Sequence, residues 1–308
     1  QNGIKINQSI IYDGIVGNKI LMQGCRTLDA MELSAINTKA SMPIGHKNCL
    51  IANNEIRKLV KAESDAVSVY GLVVNDNSCA DIYHNSIYIQ DTCTINALRV
   101  TTSTTGDLSI KNNILMINAD KKNSCYALYM PNGNYYNTTI DYNNYYNFNP
   151  NGYLAYIGMN MTTLADMQSV SVGDKNSISA PAYFVDVDTN LELVVASGMA
   201  APNVGIDYDI NGAFRDSLTC MGAYNANIST TTDLNLFAII GLSNNSNRCV
   251  PDYIPVSYVI RNTGSKVIDF ATTPLSLTLS VKGVKQFDTT IVINTGRIDF
   301  LGIDTFEV

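Results

Sequence analysis

Five residues in the first half of the chain carry chemistry at matched places: Glu32, Asn75, Asp76, Arg99 and Tyr129. Each lies in one of four short apolar-rich stretches, "AMELSA", "YGLVVND", "ALRVTTS" and "ALYMPNG". If Leu33, Leu72 and Val74, Leu98 and Val100, and Leu128 and Met130 point inward, strand alternation turns Glu32, Val73 and Asn75, Arg99 and Tyr129 outward, with Asp76 at a strand end. A carboxylate, a guanidinium and an aromatic ring on one ladder could hold an acidic or neutral sugar. The plain alternative is an ordinary solvated β-face.

Three further groups invite the same question. Tyr135, Tyr136, Tyr142, Tyr145, Tyr146, Tyr153 and Tyr156 form a tyrosine-rich region that could stack on sugar faces. The chain has no Trp, and Tyr145 falls on an inward column, so part of this region is core. The segment "DYDING", Asp207 to Gly212, matches the start of a calcium loop, with oxygen donors at positions 1, 3 and 5 and Gly at 6. Its twelfth position is Leu218 and not the bidentate Glu, and "DVDTN", Asp186 to Asn190, lacks the Gly. Both read as Asx-type turns, so no metal ligands and no cofactor are assigned. The two histidines, His46 and His84, have no evident partner for a nucleophilic dyad. No catalytic residue is assigned.

The elements that must position these residues show in a repeat. "GIVGNKILMQ", "CLIANNEIRKL", "ADIYHNSIYIQ", "LSIKNNILMIN" and "TTIDYNNYYNF" all read apolar, two residues, Asn, one residue, apolar. The asparagines are Asn18, Asn54, Asn85, Asn113 and Asn143, spaced by 36, 31, 28 and 30 residues. A period in this range marks stacked supersecondary units. β-Branched residues dominate the flanking pairs, from Ile15/Ile20 to Ile140/Tyr145, and no helical stripe competes. Two or three short strands per coil describe a right-handed parallel β-helix. Asn tolerates the left-handed conformation needed in a sharp turn, and its amide can bond the equivalent amide one coil away. The Asn column is therefore expected to be a structural ladder inside a turn.

Bulk composition narrows the classes. The chain has 308 residues, 46% hydrophobic and only 15% charged, with net charge −7. That charge fraction is low for a soluble domain. With no basic patch, nucleic acid is not an expected partner. No segment reaches the length of a membrane-spanning apolar helix. Seven scattered cysteines without a CxxC pair argue against zinc and against a disulfide framework, leaving buried free thiols. The abrupt start at Gln1, with "IKINQSII" already reading as strands and no signal peptide, reads as a cut fragment or a mature chain.

Over about Ile4 to Tyr224 the chain resembles the pectate-lyase-like right-handed β-helix proteins, particularly repeat-containing secreted proteins of bacteria. The residues that carry this are the repeat and the tail: Pro181 with Phe184 to Asp186, then Asp209 to Arg215, then Gly222 to Tyr224. These are similar to the segment that closes many such helices, with one extra residue in the first stretch and Asn211 in the second. The resemblance implies an extracellular or bacterial cell-surface location and a site on the outer face of one sheet. In such enzymes acidic residues bind calcium and a basic residue abstracts a proton, and no acidic cluster of that kind is evident here.

After a polar run, Tyr224 to Asp233, strand-like segments alternate at Val256, Tyr258 and Ile260, and at Leu275, Leu277, Leu279 and Val281. "RNTGSKVI" resembles a strand-turn of immunoglobulin-like adhesion modules. About five strands are legible where such a sandwich needs about seven, so the module reads as incomplete. Its open edge invites strand pairing with another chain.

The expected fold is all-β. Residues 1–226 form a right-handed parallel β-helix whose closing segment spans about 162–226, and residues 233–308 form an immunoglobulin-like β-sandwich. The expected function is recognition of a polysaccharide or glycan by the helix face. The alternatives are part of a carbohydrate-active lyase or hydrolase, and a structural or adhesive stalk.

Overall fold

The computed structural model describes residues 2–23, 27–41, 45, 47–59, 67–101, 107–119, 124–131, 138–170, 173–194, 196, 199–226, 234–241, 256–262, 267–281, 286–299 and 302–307. They are mostly β-strand, with one short helix, Leu164–Val170. The chain forms two compact units, Gln1–Asn227 and Ile228–Val308.

The first unit is a parallel β-solenoid. Its first sheet stacks Asn2–Asn7, Thr27–Ser34, Ser68–Asn75, Thr94–Thr101, Cys125–Met130 and Ala155–Ile157 in parallel, and Asn160–Met161 adds an antiparallel end. The second sheet stacks Ile15–Val16, Cys49–Ala52, Ala80–Tyr83, Leu108–Lys111 and Thr138–Asp141. The third stacks Lys19–Met22, Glu55–Lys58, Ser86–Asp91, Ile114–Ala119 and Asn144–Asn147. One strand from each sheet makes a rung. Ile51, Ile82, Ile110 and Ile140 fill the interior from the second sheet, and Ile56, Ile87, Leu115 and Tyr145 fill it from the third. Each such side chain contributes roughly 1.5–3 kcal/mol on burial. The described cysteines, Cys49, Cys79, Cys93, Cys125 and Cys220, are buried free thiols. Cys25 and Cys249 lie outside the described residues.

The corner between the second and third sheets holds the asparagine ladder. Asn18, Asn54, Asn85 and Asn113 each donate Nδ2 to the next asparagine's Oδ1 at 2.9 Å, and each backbone N donates to the same oxygen at 3.0 Å. The Nδ2 groups of Asn54, Asn85 and Asn113 also donate to the carbonyls of Ile15, Ile51 and Ile82. Asn143 ends the row, its backbone N donating to Ser177 Oγ at 2.9 Å. One expectation needs correction here. The left-handed residue is not the ladder asparagine but the one before it: Gly17, Asn53, His84, Asn112 and Tyr142 have φ of 73°, 52°, 52°, 60° and 55°. The corner divides its labour, the first residue making the bend and the second turning its amide inward to satisfy the backbone.

The expected closing segment does two things. Its first part caps the last rung: Met167 of the helix is buried, Asp174 N donates to Ile140 O, and Ile178 pairs with Asn144. The rest runs back along the outside of the solenoid as a strap. Leu191 N donates to Glu55 Oε2 at 3.0 Å, Ala223 N to Ser86 Oγ at 2.9 Å and Gly222 N to Asn112 O at 2.7 Å. Asn53 donates to Tyr208 O and Asn112 to Pro202 O, both at 2.7 Å, and Lys19 reaches Asn211. A Cβ on Gly222 would lie 2.6 Å from Ile114 Cδ1 and 2.7 Å from Ser86 Oγ, and φ is +90°, so this contact needs glycine.

The second unit is antiparallel. Ser257–Asn262 lies between Leu234–Ile240 and Ile303–Glu307, Leu275–Val281 pairs with Phe287–Ile293, and Ile268–Asp269 pairs with Arg297–Ile298. Tyr258, Ile260, Ile268, Phe270 and Ile298 form its core. The described residues hold seven strands where sequence reading found five. The extra pair is two residues long, too short to show an alternating pattern. Most of the polar run before this unit, and part of "RNTGSKVI", lie outside the described residues.

Candidate functional site

The inward set is placed as expected: Leu33, Leu72, Val74, Leu98, Val100, Leu128 and Met130 are all buried. In register, Glu32 neighbours Val73, Val73 neighbours Arg99, Arg99 neighbours Tyr129, and Tyr129 neighbours Tyr156. This outward row unites three of the five expected residues. Lys5, one rung before Glu32, pairs with it at 2.7 Å. Arg99 lies between two rings, its Cζ 5.0 Å from the Tyr70 centroid and 4.5 Å from that of Tyr129. A guanidinium between two rings is held by their quadrupoles.

Asn75 and Asp76 are not part of that row. They sit where the strand leaves the sheet. Asn75 Oδ1 accepts from Thr101 Oγ1, and the Asp76 carboxylate accepts from Ser34 Oγ. Asp76 has φ of +54°. Both residues fasten the exit turn.

The tyrosine region divides. Tyr153 and Tyr156 join Tyr126 and Tyr129 in one cluster, with Tyr129 and Tyr156 stacked at 5.2 Å and Tyr126 and Tyr153 at 6.1 Å. Burial pushes the Tyr126 hydroxyl up, and it donates to Asn160 Oδ1 at 2.8 Å. Tyr145 is fully buried inside the solenoid and donates to Asp174 Oδ1. Tyr146 packs on Phe148 by the third sheet, and Tyr142 makes the corner. Tyr135 and Tyr136 lie outside the described residues.

Sequence reading missed a second outward row: Asp29, Tyr70, Asn96 and Tyr126. Between the rows sit two consecutive buried positions, Ala30–Met31, Gly71–Leu72, Ala97–Leu98 and Ala127–Leu128, so alternation slips by one. The run of small residues Ala30, Gly71, Ala97 and Ala127 was the available signal. Burial, and then the nearby Glu32, push the Asp29 carboxyl above the usual carboxylate value. Asp29 Oδ1 and Asn96 Oδ1 are buried without a hydrogen-bond partner among the described residues.

The acidic loops are turns. Asp209 Oδ1 accepts the backbone N–H groups of Asn211 and Ala213, each at 2.8 Å, and Oδ2 accepts that of Asn225 at 2.7 Å. Asp186 Oδ1 accepts from Asp188 N. Among the described residues no three His, Cys, Asp or Glu side chains converge to hold a metal ion, and no helix is long and apolar enough to cross a membrane.

His84 is buried at the corner under the strap. Asn112 Nδ2 donates to its Nε2 at 3.0 Å. Burial, and then the Arg215 guanidinium, hold its pKa well below the ordinary value. Arg215 is 1% exposed, with Nη2 donating to Asn53 Oδ1 and Gly222 O, and Nη1 to Thr219 Oγ1 and Cys220 O. His46 lies outside the described residues. No protein-family model, no curated protein and no solved structure matches the chain.

Proposed function

We propose that the first unit is a right-handed β-helix of the pectate-lyase-like kind, carried on an exported bacterial surface protein, and that its first-sheet face recognises polysaccharide. Parallel crossovers are right-handed as a rule, which supports the handedness. Seven short strands around one apolar core support an immunoglobulin-like second module.

One observation carries the recognition reading. Arg99, held between Tyr70 and Tyr129, lies in a row with Glu32 and beside Tyr126, Tyr153 and Tyr156. The solenoid interior is complete without this outer set, so fold stability alone does not call for it. A fixed guanidinium, a carboxylate and partly exposed rings offer donors, acceptors and apolar faces along the stacking direction. That suits an elongated polar ligand.

A glycan array with the full chain tests this. Binding that Arg99→Ala and Tyr129→Ala each weaken by about tenfold is expected, the size of one good polar or stacking contact. A blank array would overturn it. A stalk without ligand is favoured by a specific observation, the tyrosine rings packing on one another and thereby covering part of their faces. The blank array would leave that reading standing.

A further inference from the structure

We propose that the first-sheet face selects an amine-bearing sugar, with the Asp29 carboxylate receiving its ammonium group. The inference rests on the recognition reading above. It starts from the two acceptors left over on the second outward row. Among the described residues Asp29 Oδ1 and Asn96 Oδ1 are buried and unpartnered, and Asn96 is 1% exposed. Native structures satisfy such groups, so vacant acceptors on an outward row point to a donor from outside.

The charges decide which donor. Lys5 is engaged with Glu32 at 2.7 Å. Arg99 is held between the Tyr70 and Tyr129 rings. Asp29 forms no ion pair among the described residues; Glu32 three residues along the strand adds a like charge, which Lys5 and Arg99, each engaged elsewhere, oppose more weakly. A hydroxyl would fill the vacant acceptor but bring no opposite charge to the desolvated carboxylate. A sugar acid would add a third carboxylate. An ammonium answers both needs.

Three oligomers are titrated into the full chain: glucosamine with free amines, the same oligomer fully N-acetylated, and a galacturonate oligomer. The free-amine form is expected to bind at least about tenfold tighter than the other two, the ratio one charge-assisted hydrogen bond supplies. Asp29→Asn should erase that preference. Lys5→Ala, at an exposed side chain, should raise free-amine affinity severalfold by releasing Glu32. Equal binding of the free and acetylated forms overturns amine selection, as does a preference that survives Asp29→Asn or favours galacturonate. In each of those cases polysaccharide recognition still stands. Failure to bind any of the three, together with a blank array, overturns the recognition reading and this inference with it.

Discussion

Asp174 is a buried carboxylate with only one satisfied oxygen. Its Oδ1 accepts from Tyr145 Oη at 3.0 Å and from Ser177 Oγ at 2.6 Å, and Oδ2 has no partner among the described residues. Burial outweighs both bonds and raises its pKa from 3.8 to about 6. The folded state thus binds the proton more tightly than the unfolded chain. Its contribution to stability is complete below 3.8 and is lost as pH rises through about 6. Asp174→Asn keeps the Oδ1 acceptor, and asparagine tolerates the φ of +60°. The variant should be more stable than the parent at pH 8, by up to about 3 kcal/mol, with the gap closing toward pH 4. Thermal melts across that range check this, and a less stable variant at pH 8 would sink it. Single residues were unevenly legible in sequence. The ladder asparagines stand out because they recur among isoleucines. The left-handed residues before them do not, because Gly17, Asn53, His84, Asn112 and Tyr142 share a conformation and not a side-chain type. Asp29 and Tyr70 were hidden by the slip at Ala30–Met31 and Gly71–Leu72, which breaks period two.

The asparagine row is the clearest case of an element whose energy is not pairwise. Asn85 accepts both the backbone N and the Nδ2 of Asn54, and donates to Ile51 O and Asn113 Oδ1. Asn85→Ala would strand the Asn54 backbone N–H and one of its Nδ2 hydrogens and take a donor from Ile51 O, while Asn113 Oδ1 keeps the bond from the backbone N of residue 85. A loss of at least about 3 kcal/mol is expected, since each buried orphan costs roughly 1–3 kcal/mol. Asn18→Ala, at the exposed end where the side chain only donates, should cost less than half as much. Urea unfolding of both variants provides the comparison, and equal losses would mean the row acts as independent turns. Strands of the solenoid were legible because one rung repeats its pattern five times. Those of the second unit were partly legible. Leu275–Val281 alternates over seven residues, whereas Ile268–Asp269 and Arg297–Ile298 exist only through tertiary pairing.

A solenoid is quasi-one-dimensional, each rung touching only its neighbours, so it can unravel from an end. The strap changes this in the first unit by bonding to Lys19, Glu55, Ser86 and Asn112 on successive rungs. No repeat reveals it, because its contacts run at right angles to the periodicity. Its centre is Arg215 over Asn53 with His84 alongside, a buried cation beside an imidazole kept neutral. The groups facing His84 are Asn112 from the corner and, from the strap, Arg215 and the backbone of Cys220 and Gly222, whose pull on the proton is outweighed by burial and Arg215. Because His84 is depressed in the folded state, its contribution is present above its ordinary value of 6.5 and declines as pH falls below it. Protonation would set a second cation against Arg215, and among the described residues no carboxylate bonds to either. Acid should therefore loosen the strap before the rungs. Hydrogen exchange at Gly222 and Ala223 is expected to accelerate between pH 7 and 5, after correction for intrinsic rates, while Ile87 and Leu115 stay protected. His84→Asn keeps a residue suited to φ of +52° and removes the titrating group, so the strap should lose its acid response. If strap and rungs open together in the parent at every pH, the strap is no separate element and the solenoid unfolds as one body.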